Sequence, residues 1–420
     1  MKMERYLVKG GRTLEGNLRV HGAKNAALPI LAAALLCEGG CELHNCPQLS
    51  DVEAACHILD HLGCKTHRQD DVLLIEAGDS RTCCIPEQLM REMRSSIVFL
   101  GALLAKYRQA RLSFPGGCEL GPRPIDLHLS SLEKMGVVFT QDGEQLLCEV
   151  PNELHGASID LPFPSVGATE NIMLAASLAK GETMIRNAAR EPEIAALADF
   201  INRAGGCVFI EKDGTVHIKG VKKLGACRCS VIPDRIVAVT YLCCGAITGS
   251  TVTVSDCEPD HMRAVFPILE EMGCELEIGE REILLRSPKQ LKAVKHITTM
   301  PYPGFPTDAL APIMALSTIA RGTTIFTENI FQNRYKQAWE LCRMGADIRS
   351  EGRIAVVRGV SRLHHANVRC TDLRGGAALV IAALAAEGET SIEEIRHIQR
   401  GYENLPAVLS RAGACIVQEN

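Results

Sequence analysis

The chain has 420 residues, a length that favours two or three domains over a single core. Its 45 basic and 50 acidic residues leave a formal charge of −5, and no long basic run marks a nucleic-acid or membrane surface. The first residues lack a signal-peptide core, and the longest apolar run, residues 26–37, contains Pro29 and is too short to span a bilayer. We therefore expect a cytoplasmic protein that binds no nucleic acid and does not insert into a membrane.

The 19 cysteines are spread from Cys37 to Cys415 without any C-x-x-C pair, which indicates reduced, small core residues. Cys37, Cys41, His44 and Cys46 are potential metal ligands, but their spacing matches no recurrent site. We expect neither a metal nor a cofactor. A cysteine-rich metal or redox protein is the alternative, and stoichiometric zinc in purified protein would support it.

A glycine ends an amphipathic helix six times along the chain, at intervals of 73, 69, 68, 72 and 68 residues. Each glycine leads into a strand or hairpin, so the pattern indicates six repeats with glycine at the residue after the helix. These glycines are Gly63, Gly136, Gly205, Gly273, Gly345 and Gly413.

Each repeat begins with a helix of small residues, such as residues 26–36. A second glycine and a short strand follow, then an amphipathic helix and a hairpin such as residues 274–278 with 282–286. The second glycines are Gly39, Gly181, Gly249, Gly322 and Gly388, with Ala110 in the second copy. Because the first helices carry almost no charge, we expect them to pack together inside an α/β fold of two lobes, three repeats each, with a ligand cleft between the lobes.

Polar residues gather at the starts of these buried helices. Counting back 14 residues from each second marker reaches Asn25, Ser96, Gly167, Arg235, Asp308 and Arg374. Helix N-termini suit anions, yet cations stand at several of them, against the helix dipole. The cations are Lys24, Arg94 and Arg374 at first helices and Arg123, Arg334 and Arg400 at second helices. We interpret the set as a site for an anionic ligand. The alternative is that each arginine pairs with a nearby acid, as Arg235 with Asp234 or Arg374 with Asp372.

Two further residues are candidates for chemistry. Cys118 lies among three glycines in residues 115–124, a loop suited to a mobile lid with a reactive thiol, although it could be one more small apolar residue. Asp308 is the lone carboxylate in the proline-rich residues 301–308. It could be a helix N-cap or, among so many cations, an ionised general base.

These motifs resemble the UDP-N-acetylglucosamine 1-carboxyvinyltransferase family of enolpyruvyl transferases. The similarity runs nearly from end to end of the chain. The matching segments are Gly22-Ala23-Lys24-Asn25, Pro115-Gly116-Gly117-Cys118, Arg123-Pro124, Pro164-Ser165-Val166-Gly167-Ala168-Thr169, Pro233-Asp234-Arg235-Ile236, Phe305-Pro306-Thr307-Asp308, Glu328-Asn329, Asn333-Arg334, Asp372-Leu373-Arg374 and Arg400-Gly401-Tyr402-Glu403. The resemblance implies a two-lobed inside-out α/β barrel, with residues 23–232 as one lobe and residues 1–22 with 233–420 as the other.

The resemblance also implies a reaction. The enolpyruvyl group of phosphoenolpyruvate moves to the 3-hydroxyl of UDP-N-acetylglucosamine through a tetrahedral adduct that expels phosphate, the first committed step of peptidoglycan precursor synthesis. These two substrates would be the partners, with no obligate protein partner. By analogy, Asp308 accepts the hydroxyl proton and Cys118 protonates the methylene carbon. Lys24, Arg123 and Arg400 would serve the phosphate or adduct, and Arg94, Arg334 and Arg374 would complete the anion surroundings.

The remaining implied contacts concern the nucleotide sugar. Asn25 would contact the sugar or adduct. Residues lining the uridine and diphosphate would be Arg123, Pro124, Ile125, Asp126, Leu127, Ser165, Val166 and Gly167, and further substrate contacts would be Ile330 and Asp372.

Some positions depart from the family pattern. Val237 and Val239 stand where an acid and a glycine are usual, which puts one polar contact in doubt, and Gly375 replaces an alanine, which would loosen a helix start by up to about 1 kcal/mol. Two rival functions stay open. One is the shikimate-branch enolpyruvyl transferase, and the other is a non-catalytic paralogue that binds a UDP-sugar.

Overall fold

The structure is a computed structural model that describes residues 4–78, 82–93, 95–113 and 125–419. The chain divides into two compact units. We call the described residues within 22–232 the N-terminal unit, and residues 4–21 with 233–419 the C-terminal unit. Arg94, Cys118, Arg123 and Pro124 lie outside the described residues.

Strands and helices alternate through the described residues, numbered here in chain order. The strands are β1 (Arg5–Lys9), β2 (Glu15–Arg19), β3 (Cys41–His44), β4 (Lys65–Gln69), β5 (Val72–Glu76), β6 (Cys84–Ile85), β7 (Gln109–Ser113), β8 (Val138–Asp142), β9 (Gln145–Glu149), β10 (Ser158–Asp160), β11 (Glu182–Arg186), β12 (Val208–Ile210), β13 (Val216–Lys219), β14 (Cys227–Ser230), β15 (Thr251–Ser255), β16 (Glu275–Ile278), β17 (Glu282–Arg286), β18 (His296–Thr298), β19 (Thr323–Thr327), β20 (Asp347–Glu351), β21 (Ile354–Arg358), β22 (Asn367–Arg369), β23 (Glu389–Glu393) and β24 (Cys415–Glu419). The α-helices are α1 (Lys24–Ala34), α2 (Ser50–His61), α3 (Glu87–Glu92), α4 (Phe99–Tyr107), α5 (Asp126–Glu133), α6 (Val166–Ala176), α7 (Pro192–Arg203), α8 (Arg235–Ile247), α9 (Phe266–Glu271), α10 (Thr307–Ser317), α11 (Lys336–Arg343), α12 (Leu373–Ala385), α13 (Arg396–Gln399) and α14 (Leu405–Arg411).

The six repeats form six four-stranded sheets of one pattern, three in each unit. The N-terminal unit has β14-β3-β5-β4, β6-β7-β9-β8 and β10-β11-β13-β12, and the C-terminal unit has β16-β17-β15-β2, β18-β19-β21-β20 and β22-β23-β1-β24. Each sheet has one parallel pairing, between an edge strand and the strand next to it. The other two pairings in each sheet are antiparallel. The α/β prediction with six repeats is confirmed. The outer parallel strand was not predicted, because a strand of three residues such as β10 is too short for its alternation of polar and apolar residues to stand out in the sequence.

Strands distant in sequence complete the sheets of each unit. In the C-terminal unit, β1 lies between β23 and β24, and β2 pairs in parallel with β15. In the N-terminal unit, β14 pairs in parallel with β3, with Cys227 opposite Cys41. In each unit, a strand distant in sequence therefore completes the sheet of another repeat.

The small-residue helices are buried as predicted. Helices α1, α4 and α6 pack together in the N-terminal unit, and α8, α10 and α12 pack together in the C-terminal unit. In α8, every residue after Arg235 is buried. Because nearly all sides of these helices lie against protein, their polar groups can reach a ligand only at the ends.

Backbone angles confirm the role of the six glycines that end the amphipathic helices, since all six have φ between 92° and 101°. Four of the second markers, Gly181, Gly249, Gly322 and Gly388, also have positive φ. In the first copy the left-handed residue is Gly40, next to Gly39, and in the second copy it is Arg108, two residues before Ala110.

No described helix is long and apolar enough to cross a bilayer. Within the part of the chain that the structure describes, no three His, Cys, Asp or Glu side chains are grouped to hold a metal ion, and the 18 cysteines there are free. Burial raises the pKa of Cys148 to about 12, and it acts in the same direction on most of the other buried thiols. Such thiols are protonated and inert at neutral pH.

Gly205 offers a test of the repeat signature, because its φ is +92° and a Cβ built there meets nothing within 4 Å. We expect Gly205→Ala to lower the free energy of unfolding by about 1 to 2 kcal/mol through backbone strain alone. In the control Gly225→Ala, the new Cβ lies an ordinary 3.7 Å from the carbonyl oxygen of Ala204, with no left-handed angle, so no such loss is expected. Urea denaturation measures the stability of both variants. Equal unfolding midpoints for Gly205→Ala and Gly225→Ala would argue against a left-handed residue at position 205.

Candidate active site

The residues found by counting back from the glycine markers do start the buried helices. Asn25, Gly167, Asp308 and Arg374 are the second residues of α1, α6, α10 and α12, and Arg235 is the first residue of α8. In the remaining repeat, Ser96 begins a short 3-10 helix, Ser96–Val98, just before α4. The predicted clustering of polar residues at helix starts is confirmed.

Capping side chains fix three of these starts. Ser165 Oγ accepts the N–H of Ala168 at 3.3 Å, and Asp234 Oδ1 accepts the N–H groups of the second and third residues of α8. Asp372 Oδ1 accepts the N–H groups of Arg374 at 3.1 Å and Gly375 at 2.9 Å. The carboxylates of Asp234 and Asp372 are therefore helix caps.

Gly375 makes room for one of these caps. A Cβ built at Gly375 would lie 2.6 Å from Asp372 Oδ2. We expected this glycine only to loosen the helix start. Instead it lets the capping carboxylate approach the first turn of α12.

Asp308 is held between two buried arginines. Its Oδ1 lies 2.8 Å from Arg334 Nη2, and its Oδ2 lies 3.1 Å from Arg374 Nε. Both arginine side chains are 3% exposed, whereas the Asp308 side chain is 27% exposed. Asp308 is not the N-cap of α10, a position that Pro306 occupies without a capping hydrogen bond, so that alternative is wrong. The suggested pairing of Arg374 with Asp372 is wrong too, because the partner of Arg374 is 66 residues away.

A phenol and a hydroxyl continue this ion-pair network. Arg374 Nη1 donates to the Tyr402 hydroxyl at 3.2 Å, and its guanidinium lies 5.5 Å from the centre of the Tyr402 ring. Thr240 Oγ1 donates to the Ile236 carbonyl, so it accepts the Tyr402 O–H at 2.9 Å. Burial alone would lower the pKa of Arg374, but Tyr402 and the Asp308 and Asp234 carboxylates raise it above its usual value. Arg374 is therefore a fixed cation.

The Glu328 carboxylate forms hydrogen bonds both to the predicted contact residue Ile330 and to the start of α10. Its Oε2 accepts the Thr307 hydroxyl at 2.8 Å, and its Oε1 accepts the N–H groups of Ile330 and Phe331 at 2.6 and 3.0 Å. The Thr307 carbonyl in turn accepts from Arg334. Sequence reasoning gave Glu328, Tyr402 and Thr240 no role, although the first two stand inside the matching motifs.

Lys24 is paired in the N-terminal unit. Its Nζ lies 3.1 Å from Asp51 Oδ2, and both side chains are mostly buried. Asp51 lies in the first turn of α2, where an acid stabilises the helix by itself, so the sequence gives no sign that it pairs with Lys24. Arg400 follows the short helix α13 and precedes α14, so the prediction that it starts the second helix of its repeat is wrong.

The described residues among those assigned to the nucleotide by resemblance lie at the starts of two helices in contact, α5 and α6. Ile125, Asp126 and Leu127 begin α5, and Ser165, Val166 and Gly167 begin α6. The next residue of α5, His128, meets Asn171 of α6 with 2.9 Å between Nδ1 and Nδ2. Burial lowers the pKa of His128 to about 4, so its ring is neutral at pH 7. Neither residue of this pair was predicted.

Comparison with known proteins defines the class. The profile of the family described as EPSP synthase (3-phosphoshikimate 1-carboxyvinyltransferase) matches residues 8–409. The enolpyruvyl transferase NikO from Streptomyces tendae superposes with a TM-score of 0.90 at 23% identity, over 99% of each chain. An EPSP synthase from Acinetobacter baumannii has a TM-score of 0.76 at 18% identity, over 100% of each chain. The fold and the profile together are those of an enolpyruvyl transferase.

Three relatives narrow the class, all with the name UDP-N-acetylglucosamine 1-carboxyvinyltransferase. That of Caldanaerobacter subterraneus subsp. tengcongensis is 50% identical over 99% of this chain and 100% of its own. Those of Symbiobacterium thermophilum and Clostridium perfringens are 49% and 41% identical, over 98% and 99% of this chain and 95% and 99% of their own. The chain belongs to the UDP-N-acetylglucosamine 1-carboxyvinyltransferase family, and the resemblance seen in the sequence is confirmed.

The two ion pairs of Asp308 with Arg334 and Arg374, called here the clamp around Asp308, lead to a prediction about stability. Asp308→Ala would leave two buried guanidinium groups without their shared carboxylate, at a cost of about 2 to 4 kcal/mol, reduced because water reaches the carboxylate. We expect inorganic phosphate to raise the melting temperature of this variant more than that of the wild type, because an anion can replace the lost charge. The exposed pair Arg263–Asp260 supplies the control Asp260→Ala, which should change little. A phosphate response equal to that of the wild type would contradict the prediction.

Proposed function

We propose that this protein transfers the enolpyruvyl group of phosphoenolpyruvate to the 3-hydroxyl of UDP-N-acetylglucosamine and releases phosphate, the first committed step of peptidoglycan precursor synthesis. Support comes from the names of relatives that are 41 to 50% identical over nearly the whole chain. The observation that carries the chemistry is Asp308, a partly exposed carboxylate held by Arg334 and Arg374. In the proposed reaction the carboxylate accepts the proton of the attacking hydroxyl, and the fixed cations beside it stabilise the anionic substrate. The proposed compartment is the cytoplasm.

In the first half of the proposed reaction, the 3-hydroxyl oxygen bonds to C2 of phosphoenolpyruvate. Asp308 takes the hydroxyl proton, and the C3 methylene gains a proton from the Cys118 thiol. The product of this half is a tetrahedral adduct that still carries the phosphate. In the second half, the C2–O bond to phosphate breaks and C3 returns a proton to the Cys118 thiolate, which leaves the enolpyruvyl ether and inorganic phosphate.

Each unit contains cations that we propose as contacts for substrate anions. Arg334 and Arg374 belong to the C-terminal unit, and their buried guanidinium groups suit bidentate binding of a carboxylate or phosphate. Lys24 at the start of α1 supplies a cation in the N-terminal unit, with Asn25 as a contact for the sugar or adduct. For Arg94, Cys118, Arg123 and Pro124 the proposed roles rest on the resemblance alone.

The remaining nucleotide and adduct contacts are proposed on the same basis. Arg400 would serve the phosphate or adduct. The nucleotide contacts would be Ile125, Asp126, Leu127, Ser165, Val166 and Gly167, with Ile330 and Asp372 as further substrate contacts.

A second acceptor is 3-phosphoshikimate, because the matching profile bears the name of the shikimate-branch transferase. The EPSP synthase structure is only 18% identical to this chain and supports the fold alone. The relatives named for UDP-N-acetylglucosamine are more than twice as similar in sequence. We therefore place the nucleotide sugar first.

Phosphate release separates the two acceptors. With phosphoenolpyruvate present, we expect the wild-type enzyme to release phosphate with UDP-N-acetylglucosamine and not with shikimate 3-phosphate. Absence of release with the nucleotide sugar would overturn the proposal. Asp308→Asn keeps a hydrogen-bond acceptor for the arginines but not a base, and it should lower kcat by about 10² to 10⁴.

Fosfomycin, an epoxide phosphonate, tests the proposed thiol. We expect its epoxide carbon to be attacked by the Cys118 thiolate, giving one covalent adduct by intact mass together with loss of activity. Cys118→Ser should remain unmodified, whereas Cys207→Ser removes an exposed cysteine and should react as the wild type does. Retained activity with an unchanged mass in the wild type would show that Cys118 is not an accessible nucleophile.

A further inference from the structure

The Glu328 carboxylate links two backbone segments of the C-terminal unit. The residue is buried and follows directly after β19. Its Oε1 accepts the N–H groups of Ile330 and Phe331, and its Oε2 accepts the Thr307 hydroxyl at 2.8 Å. Because a carboxylate has two accepting oxygens, one side chain can bind residues 328–331, called here the Ile330 segment, and the start of α10 at the same time.

The Ile330 segment is fixed to the ends of several strands. The N–H of Asn329 donates to Thr299 Oγ1 at 2.9 Å, and its side-chain Nδ2 donates to the Thr299 carbonyl at 3.2 Å. Arg353 Nη1 donates to the Asn329 carbonyl at 3.0 Å, and the Arg353 carbonyl accepts the N–H of Glu328 at 2.8 Å. Thr299 directly follows β18, and Arg353 lies between β20 and β21. The sheet therefore holds the Glu328 carboxylate in one place.

The start of α10 is held by side chains from another segment, because α10 has no capping side chain of its own. Pro306 occupies the N-cap position and makes no capping hydrogen bond. The first residue of α10, Thr307, is bound through its hydroxyl by Glu328 and through its carbonyl by Arg334, whose Nε and Nη2 lie at 3.3 and 3.1 Å. Asp308 is the next residue, so the same contacts restrict where its carboxylate can lie.

We propose that Glu328 and Thr307 are positioning residues, which set the distance between the base and the acceptor contact of the reaction. This inference rests on the proposed function. The base is Asp308, which follows Thr307 in α10. The acceptor contact is Ile330, whose N–H binds the Glu328 carboxylate. Proton transfer requires the base within hydrogen-bond reach of the attacking hydroxyl, and a displacement of about 1 Å can lower the rate about a hundredfold.

Two substitutions of Thr307 separate its hydroxyl from its packing. Thr307→Val keeps the branched shape without the donor, and Thr307→Ser keeps the donor. In the phosphate-release assay, we expect Thr307→Val to lower kcat about tenfold to a hundredfold. The KM for UDP-N-acetylglucosamine should stay within about threefold of the wild type, because the Ile330 segment is intact. Thr307→Ser should restore kcat to within about threefold of the wild type.

Thr324→Val is the matched control. Thr324 lies on β19, and its buried hydroxyl has no hydrogen-bond partner in the part of the chain that the structure describes. We expect wild-type kcat for this variant. A Thr307→Val enzyme with wild-type kcat and a lower melting temperature would assign the Thr307 hydroxyl to stability alone and would overturn the proposal.

A double-mutant cycle tests whether the Thr307 hydroxyl acts through Glu328. Glu328→Ala removes the acceptor for both segments, so it should lower kcat at least as much as Thr307→Val does. Adding Thr307→Val to Glu328→Ala should then have no further effect on kcat, because the hydroxyl has already lost its partner. Losses that multiply in the double variant would contradict the proposal.

Hydrogen exchange followed by mass spectrometry tests the link without substrate or turnover. We expect Thr307→Val to speed exchange in the first turn of α10 and to leave the amides of Ile330 and Phe331 as protected as in the wild type. Glu328→Ala should speed exchange in both segments. Unchanged exchange at the start of α10 in Thr307→Val would show that the link is absent. The link is thus tested even if the wild-type enzyme releases no phosphate, a result that would overturn the proposed function instead.

Discussion

The site depends on the packing of three nearly uncharged helices in each unit. Helices α8, α10 and α12 bury most of their side chains against one another, so polar atoms can be placed only at their ends. Buried N–H groups at those ends still need partners, which Asp234 and Asp372 supply. The same constraint puts Asp308 and Arg374 in the first turns of neighbouring helices, where they can meet.

Arg374 shows what a buried cation requires. A guanidinium removed from water is unstable unless charge and hydrogen bonds replace its hydration, and here Asp308, Tyr402 and the Tyr402 ring do so. Thr240 holds the Tyr402 hydroxyl from α8, so all three helices position one side chain. Val237 and Val239, which depart from the family pattern, are wholly buried on α8, one turn or less from the Thr240 hydroxyl that bonds to Tyr402.

Local patterns in the sequence predicted the repeats, and partners distant in sequence limited what could be predicted of the site. A glycine with positive φ after a helix is a property of a few neighbouring residues, so six of them revealed the period and the helix starts. The partner of Arg374 could not be found in this way, because Asp372 stood nearby and Asp308 stood 66 residues away. The contact between His128 and Asn171 carried no signal because it joins two helices that are 43 residues apart in sequence. The loop with Cys118 lies outside the described residues, and its lid function stays a prediction.

The clamp around Asp308 also bears on when this carboxylate acts as a base. Two guanidinium groups occupy an acceptor site on each oxygen, and protonation would weaken both ion pairs. In the proposed reaction, phosphoenolpyruvate brings two anionic groups to a cluster in which cations outnumber the carboxylate. Once a substrate anion shares Arg334 or Arg374, the ion pair of that arginine with Asp308 weakens, which favours transfer of the proton of the attacking hydroxyl to the carboxylate. Binding of the anionic substrate would then activate the base, and the hydroxyl would be deprotonated only when its reaction partner is present.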